Sequence, residues 1–371
     1  MRIGIDCRLW NESGVGRYTR NLVLSLDKYD KSNEYVLFLL SRDLNDNRLP
    51  KGFKKVASDV RWHTVSEQIL MLKIFLKENL DLLHVPYVSL PLFYPKRFVV
   101  TVHDLIPIKF PVGAASKLPL SLYVLKVVLY YFVLFIGLRR ASKVVAVSKS
   151  TRDDIVKYFR VNADKIAVIY NALEEGFGEG VVKPAEAKNY ILYVGNAYPH
   201  KNLDRLINAY NLLDLKIKNC PYLFLVGRKD VFYNQLESRI PDRIKDKVKF
   251  LGFVPDIELM KYYAESVALI LPSLGEGFGF PILEAFSCGT LVVCSDISPF
   301  KEVAGECAAY FNPYDVNDIC SKLSYYINLN ETERANILKR YANILGKFSW
   351  GNGVKAMMSL YESIFNKGVS L

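Results

Sequence analysis

Two carboxylates, Glu276 and Glu284, stand with seven residues between them in GEGFGFPILEAFSCGT, a glycine-rich stretch late in the chain. The apolar run SVALILPS just before it reads as a strand buried on both faces. GEGFG then breaks the periodicity, Pro281 suits a first helical position, and Gly289 suits the residue just past a helix end. A strand, a glycine loop and a helix start bring free amides and the positive end of the helix dipole to one spot, which suits a phosphate. A carboxylate facing that spot would repel phosphate, but it would accept strong hydrogen bonds from sugar hydroxyls. The combination points to a sugar carried on a diphosphate. The plainer alternative is a pair of solvated glutamates beside an ordinary turn.

Other residues of interest fall in similar places. NESGVGRY sets Gly14 and Gly16 ahead of Arg17, where small residues would let backbone amides approach a phosphate or sugar. The dinucleotide fingerprint needs a third glycine where this chain has Thr19, so a tight turn explains the pair equally well. FVVTVHDL ends with His103 and Asp104 at an expected strand tip. A lone histidine there is either structural or part of a site, and Asp104 either orients it or caps the next turn.

These positions require a scaffold of strands that end together. RIGIDCR, EYVLFLL, DLLHVPY, FVVTVHDL, KVVAVSKS and KIAVIYNA are short apolar runs alternating with helical stretches, the pattern of a doubly wound parallel sheet. A helix is expected from about Arg17 to Leu26. A second alternation runs through YILYVGNAY, YLFLVGR, KVKFLGFV, SVALILPS and TLVVCSD. Residues 172–188 are rich in Gly, Glu and Pro. The reading is an α/β protein of two Rossmann-like domains with parallel sheets facing a central cleft, residues 1–175 and 186–350, joined by a linker at 176–185. Ligands of such sheets sit beyond the carboxyl ends of the strands.

The chain of 371 residues is long enough for two cores, and 51% hydrophobic with 23% charged residues marks it as globular. The first residues lack a secretion signal. Six cysteines at 7, 220, 288, 294, 307 and 320 show no CxxC spacing, and four histidines show no metal-ligand pair, so reduced core thiols, a cytoplasmic protein and no metal site are expected. A net charge of +11 favours anionic partners. Nothing resembles a nucleic-acid module. Residues 118–138, LPLSLYVLKVVLYYFVLFIGL, hold one charge, Lys126, in about a spanning length. A spanning helix would put the following strand on the wrong side of a bilayer. A helix packed on its domain, with an apolar face on an anionic membrane surface, is the favoured reading, and a wholly buried helix the alternative.

The EGFGFPxLEAxxCGT pattern closely resembles the signature of the family-4 retaining glycosyltransferases of GT-B fold. The resemblance runs from GVGRY to FSW near Trp350 and is strongest between Tyr190 and Pro313. It implies a metal-independent transfer of a hexose from a nucleotide sugar to a saccharide or lipid-linked acceptor in cell-surface glycan synthesis. GDP-mannose is the favoured donor, and no cofactor is needed. It implies that Glu284 holds the nucleotide ribose and Glu276 the donor hexose, with Gly277, Phe278, Gly279 and Phe280 supplying amides to sugar and phosphate. Lys201 would neutralise the diphosphate, Gly16 with Gly14 would close over the donor, and His103 would contact the sugar or relay a proton. Gly252 to Val254 match the segment that packs on the nucleobase. Family members carry a second basic residue where this chain has Asn196 or His200, and Arg228 could replace it. The final helix, about 353–371, would return to the first domain. Alternatives on the same fold are a nucleotide-sugar epimerase or a phosphorylase. An NAD-dependent oxidoreductase and a non-enzymatic membrane scaffold are further alternatives.

Overall fold

The computed structural model describes residues 1–12, 14–89, 92–111, 120–181 and 188–366. It folds as two compact units, Met1–Ala172 with Ser349–Leu371, and Leu173–Phe348. Leu118 and Pro119 of the apolar segment, residues 182–185 of the expected linker and residues 367–371 of the final helix lie outside the described residues.

The first unit runs β1 (Arg2–Asp6), α1 (Gly14–Tyr29), β2 (Glu34–Leu39), β3 (Lys54–Ala57), α2 (Val65–Lys77), β4 (Leu82–Val85), β5 (Phe98–Val102), α3 (Ile106–Lys109), α4 (Leu120–Arg140), β6 (Lys143–Ala146), α5 (Lys149–Phe159) and β7 (Ile166–Val168). Its seven strands lie in the order β3-β2-β1-β4-β5-β6-β7, all parallel. The second unit runs β8 (Tyr190–Val194), α6 (Leu203–Lys216), β9 (Tyr222–Val226), α7 (Val231–Glu237), β10 (Val248–Gly252), α8 (Asp256–Glu265), β11 (Ala268–Leu271), α9 (Phe280–Ser287), β12 (Leu291–Ser295), α10 (Ser298–Ala304), β13 (Ala308–Phe311), α11 (Val316–Ile327), α12 (Glu331–Leu338) and α13 (Tyr341–Leu345). Its sheet is β10-β9-β8-β11-β12-β13, again parallel throughout. In each sheet the strand order reverses beside the first strand, between β1 and β4 and between β8 and β11. Those two switch points are where doubly wound folds leave a crevice for ligand.

The last helix, α14 (Trp350–Asn366), packs on α1 and belongs to the first unit. Polar contacts from three of its partners hold the described residues of α14. The Trp350 indole donates to the Ala172 carbonyl at 3.1 Å, Arg97 donates to the carbonyls of Ile364 and Phe365, and the Tyr361 hydroxyl meets His84 Nδ1 at 2.6 Å. His84 lies in the middle of β4, fully buried. A histidine there is tolerated because its second nitrogen also has a partner, Thr101 Oγ1 at 2.8 Å.

Four features differ from the sequence reading. Strands β3 and β13 are additional; both are sheet edges, β3 (KKVA) largely exposed and β13 (AAYF) apolar and mostly buried. Helix α1 starts at Gly14, three residues before Arg17, so the two glycines form its first turn and not a loop ahead of it. The unit boundary falls between Ala172 and Leu173. Gly178 already packs on the second unit, where a β-carbon would come within 2.7 Å of the Ser287 side chain.

The apolar segment forms α4 between two strands, β5 and β6, that pair in parallel within one sheet. Leu134 and Leu138 bury fully in the core of that sheet. Among the described residues no helix is long and apolar enough to cross a membrane. All six cysteines are buried and free.

Candidate active site

In the second unit the glycine loop has the shape its composition suggests. Gly279, at φ 122°, precedes α9, and Pro281 sits in the first turn. A β-carbon on Gly279 would press on Phe300 and Ile282 at 3.1 to 3.3 Å, so both the backbone angle and the space call for glycine. The other end of α9 closes in a Schellman motif. Gly289, at φ 68°, donates to the Phe286 carbonyl at 3.1 Å and Thr290 donates to the Ala285 carbonyl at 2.8 Å.

Glu276 and Glu284 occupy different environments. Glu284 is buried on α9, and its Oε2 accepts the Tyr263 hydroxyl proton at 2.6 Å. Glu276 sits in the loop beyond β11, partly exposed, and its Oε1 accepts from Lys201 Nζ at 2.6 Å and from Ser273 Oγ at 2.7 Å. Lys201 is brought there by the turn Pro199–Lys201 that follows β8, so the ion pair spans the β8/β11 switch point. Two tethers aim that turn. The Leu274 amide donates to the His200 carbonyl at 2.7 Å. Asn202, left-handed at φ 62°, donates through Nδ2 to the carbonyls of Pro272 and Pro313 at 3.0 and 2.8 Å. Lys201 thus closes a single 3-10 turn, two residues ahead of α6.

Three glycines line the neighbouring strand ends. Gly195 follows β8, Gly227 follows β9 and Gly252 ends β10, with Gly195 N–H on the Val226 carbonyl and Gly227 N–H on the Gly252 carbonyl at 2.9 and 3.0 Å. A β-carbon on Gly227 would lie 2.0 Å from the Gly195 carbonyl oxygen. From this row branch Asn196, exposed, its Oδ1 accepting from the Tyr198 amide at 3.2 Å, and Arg228, exposed and without an ion-pair partner among the described residues. Val254, buried, follows Gly252 at φ 73°. His200 does not supply the second cation. It is buried, and burial together with the Lys201 charge pushes its pKa down to about 4, so it is neutral near pH 7.

In the first unit, His103 stands just past β5. Its Nε2–H donates to the Pro86 carbonyl at 2.8 Å and its ring meets Tyr18 edge-on at 4.7 Å. A carbonyl can only accept, so Nδ1 carries the lone pair. Burial pushes the pKa down to about 4. This histidine offers a hydrogen-bond acceptor and is a weak base. The Asp104 carboxylate accepts from the Ile106 amide at 2.9 Å, which caps the next turn.

Gly14 and Gly16 differ sharply. A β-carbon on Gly14 meets nothing within 4 Å, whereas one on Gly16 would lie 2.4 and 2.8 Å from the carbonyl oxygens of Leu9 and Trp10. Gly16→Ala is therefore expected to destabilise the protein by about 1–3 kcal/mol through forced backbone movement, and Gly14→Ala by well under half of that. Calorimetric melting of both variants decides it; equal melting temperatures would refute the assignment.

Two buried polar groupings escaped the sequence reading. Beyond β1, Arg8 donates to Asp6 at 2.6 Å, to Glu67 at 2.6 Å and to the Val60 carbonyl at 2.9 Å, with Tyr87 and Ser89 completing the carboxylates. Burial opposes the guanidinium charge, but Asp6, Tyr87 and Glu67 more than offset it and hold the Arg8 pKa above its ordinary value. The only local signal was two charged residues, DCR, closing a buried strand. The second grouping is Ser273 and Tyr263, which hold the two glutamates.

Residues 13–175 match the family described as Glycosyltransferase Family 4, and residues 179–343 match Glycosyl transferases group 1. The chain is 29% identical over 298 residues to O-antigen chain mannosyltransferase RfbU of Salmonella typhimurium, covering 78% of this chain and 76% of that protein. Its fold matches sucrose-phosphate synthase from Thermosynechococcus elongatus with a TM-score of 0.78 at 17% identity, over 99% of this chain and 100% of the other. It also matches HepE of Anabaena, solved with UDP and glucose, with a TM-score of 0.72 at 18% identity, over 98% and 100%. With both halves matched and each unit a parallel Rossmann-like sheet, the chain belongs to the family-4 glycosyltransferases of GT-B fold.

Proposed function

We propose that this glycosyltransferase moves a hexose, with mannose favoured, from a nucleotide sugar to a saccharide or lipid-linked acceptor, retaining the anomeric configuration and using no metal. The observation that carries the reading is the Lys201–Glu276 pair at 2.6 Å beside the glycine-started helix that bears Glu284. A cation, a helix start and two carboxylates suit a diphosphate with sugars on both sides. In this reading Glu284 takes the ribose hydroxyls and Glu276 the hexose hydroxyls. Lys201, Arg228, Asn196 and the amides of Gly277, Phe278, Gly279 and Phe280 face the diphosphate and sugar, and Val254 packs on the base; Gly14, Gly16 and His103 are proposed as further donor contacts.

The bond from the anomeric carbon to the leaving phosphate breaks, and the acceptor oxygen bonds to the same face of that carbon. The acceptor proton passes to the departing phosphate oxygen. Lys201 and the α9 amides would stabilise the charge that builds there. His103, neutral near pH 7 and with its lone pair on Nδ1, accepts a hydrogen bond from a sugar hydroxyl. Mannose is favoured because RfbU is a mannosyltransferase by name, and GDP-mannose is the donor to try first. The exposed face of α4 is read as the contact to an anionic membrane surface that presents the acceptor.

Thermal shift with GDP, UDP and ADP sugars, followed by transfer assays on the best binder, tests the reading. Glu284→Ala is expected to weaken the preferred nucleotide by about 10- to 100-fold, the value of one or two charge-assisted hydrogen bonds. No stabilisation by any nucleotide, with Glu284→Ala indistinguishable from the parent, would overturn it.

A further inference from the structure

Four side chains form a buried polar chain through the first unit, and none of them is among the donor contacts named above. Tyr361 of α14 meets His84 Nδ1 at 2.6 Å, His84 Nε2 meets Thr101 Oγ1 at 2.8 Å, and Thr101 Oγ1 meets the Tyr18 hydroxyl at 3.3 Å. None of the four is more than 1% exposed. Burial lowers the His84 pKa to about 3, so the imidazole is neutral near pH 7, with one N–H and one lone pair. Each nitrogen faces a hydroxyl, which can donate or accept, so either tautomer completes both bonds.

The chain ends beside His103. His84 and Thr101 lie on β4 and β5, neighbouring strands that pair in parallel. Two residues further along both strands, the Pro86 carbonyl accepts from His103 Nε2 at 2.8 Å. Tyr18 spans these two rungs: its hydroxyl rests on Thr101, and its ring meets His103 edge-on at 4.7 Å. One hydrogen bond fixes a single direction of the imidazole. The Tyr18 ring restrains its plane, and hence where the Nδ1 lone pair points. Trp350 of α14 lies against Tyr18 at 5.6 Å, so that helix backs Tyr18 directly and closes the far end of the chain through Tyr361. A fully paired buried network selects one arrangement of its members, where apolar packing of the same volume tolerates several.

We infer that Tyr18, Thr101 and His84, closed by Tyr361, are positioning residues that aim the Nδ1 lone pair of His103. Their role rests on the reading above that His103 accepts a hydrogen bond from a sugar hydroxyl, and it adds the side chains that orient this acceptor.

Steady-state transfer by variants of the full chain tests the inference. Thr101→Val and Tyr18→Phe each keep the side-chain shape and lose a hydroxyl. Both should lower kcat by about tenfold, the scale of a small misplacement of a contacting group, with KM for the nucleotide sugar within about twofold of the parent. Thr101→Ser keeps the hydroxyl and should stay near the parent. In a His103→Gln background Thr101→Val should add no further loss, because residues that act through one group are not additive. Proton–carbon correlation spectra read the orientation itself. The His103 ring signals, assigned by their absence in His103→Gln, should move in Thr101→Val and Tyr18→Phe and stay in Thr101→Ser. Should Thr101→Val not fold, Tyr18→Phe, which leaves Thr101 paired with His84, carries the same comparison. A lowered melting temperature with kcat and the His103 signals unchanged would show packing alone and overturn the inference. A full additional loss from Thr101→Val in the His103→Gln background would overturn it too, since Thr101 would then act elsewhere. His103→Gln with unimpaired transfer would overturn the reading of His103 as a sugar contact, and with it the role of the chain, even where the ring signals move.

Discussion

Lys201→Ala is expected to lower kcat/KM for sugar transfer by about 10²–10³-fold, the usual loss when one preorganised donor to developing charge is removed. Lys201 is poorly exposed, and its ammonium sits on Glu276 Oε1 at 2.6 Å. The substitution does two things. It deletes the cation that would meet the leaving diphosphate, and it leaves the Glu276 carboxylate with Ser273 but without its counter-charge at the spot where phosphate would arrive. A double-mutant cycle separates the effects. Glu276→Gln in the Lys201→Ala background should restore donor binding while leaving kcat low, with a coupling of about 1–3 kcal/mol. Lys201→Ala with kcat/KM within threefold of the parent would remove Lys201 from the reaction.

A loss of stability between pH 7 and pH 5, steeper in the first unit than in the second, is the other large effect expected. Burial holds His84 down to about 3, with the His103 charge adding to it, and burial holds His103 and His200 near 4. Each is neutral in the folded chain at pH 5, while the unfolded chain takes up a proton below about 6.5. The unfolded state therefore binds more protons, and stability rises with pH across this window. The contribution is complete above about pH 6.5, falls as pH drops towards 4, and levels off below the folded pKa. At pH 5 each histidine accounts for about 2 kcal/mol, so about 4 in the first unit and 2 in the second, against a typical domain stability of 5–15 kcal/mol. Asp30, held down to about 2 by its hydrogen bonds with Asn33, Tyr35 and Ser32 against the opposing effect of burial, acts in a lower window, below pH 4. The three tryptophans, Trp10, Trp62 and Trp350, all lie in the first unit, so indole fluorescence during denaturation reports that unit alone. Equal midpoints at pH 7 and pH 5, or no flattening in His84→Gln, would refute it.

The readable parts were those in which short-range pattern and structure coincide. SVALILPS, GEGFG, Pro281 and Gly289 each carry a local signal, and strand β11, the Gly279 turn, α9 and its Schellman end all follow. Strand β3 was missed because an exposed edge strand needs no continuous apolar run; β13 is apolar and mostly buried, but its two alanines carry no strand preference. Helix α1 was started late because two glycines look like a loop. In fact Gly16 is a packing requirement against the Leu9 and Trp10 carbonyls. Nothing local marks Arg8, Asp6 and Glu67 as partners, since Glu67 is 59 positions from Arg8.

By itself the sequence determined two alternating α/β units and a glycine-loop helix flanked by glutamates, because periodicity and turn chemistry act over a few residues. Only the tertiary structure decided what those glutamates touch. Lys201 reaches Glu276 across 75 positions because β8 and β11 are neighbours at the point where the strand order reverses. The same long-range packing made His103 and His200 neutral and turned Glu67 inward. Burial, partner and charge state depend on which distant segments arrive, and spacing along the chain does not carry that information.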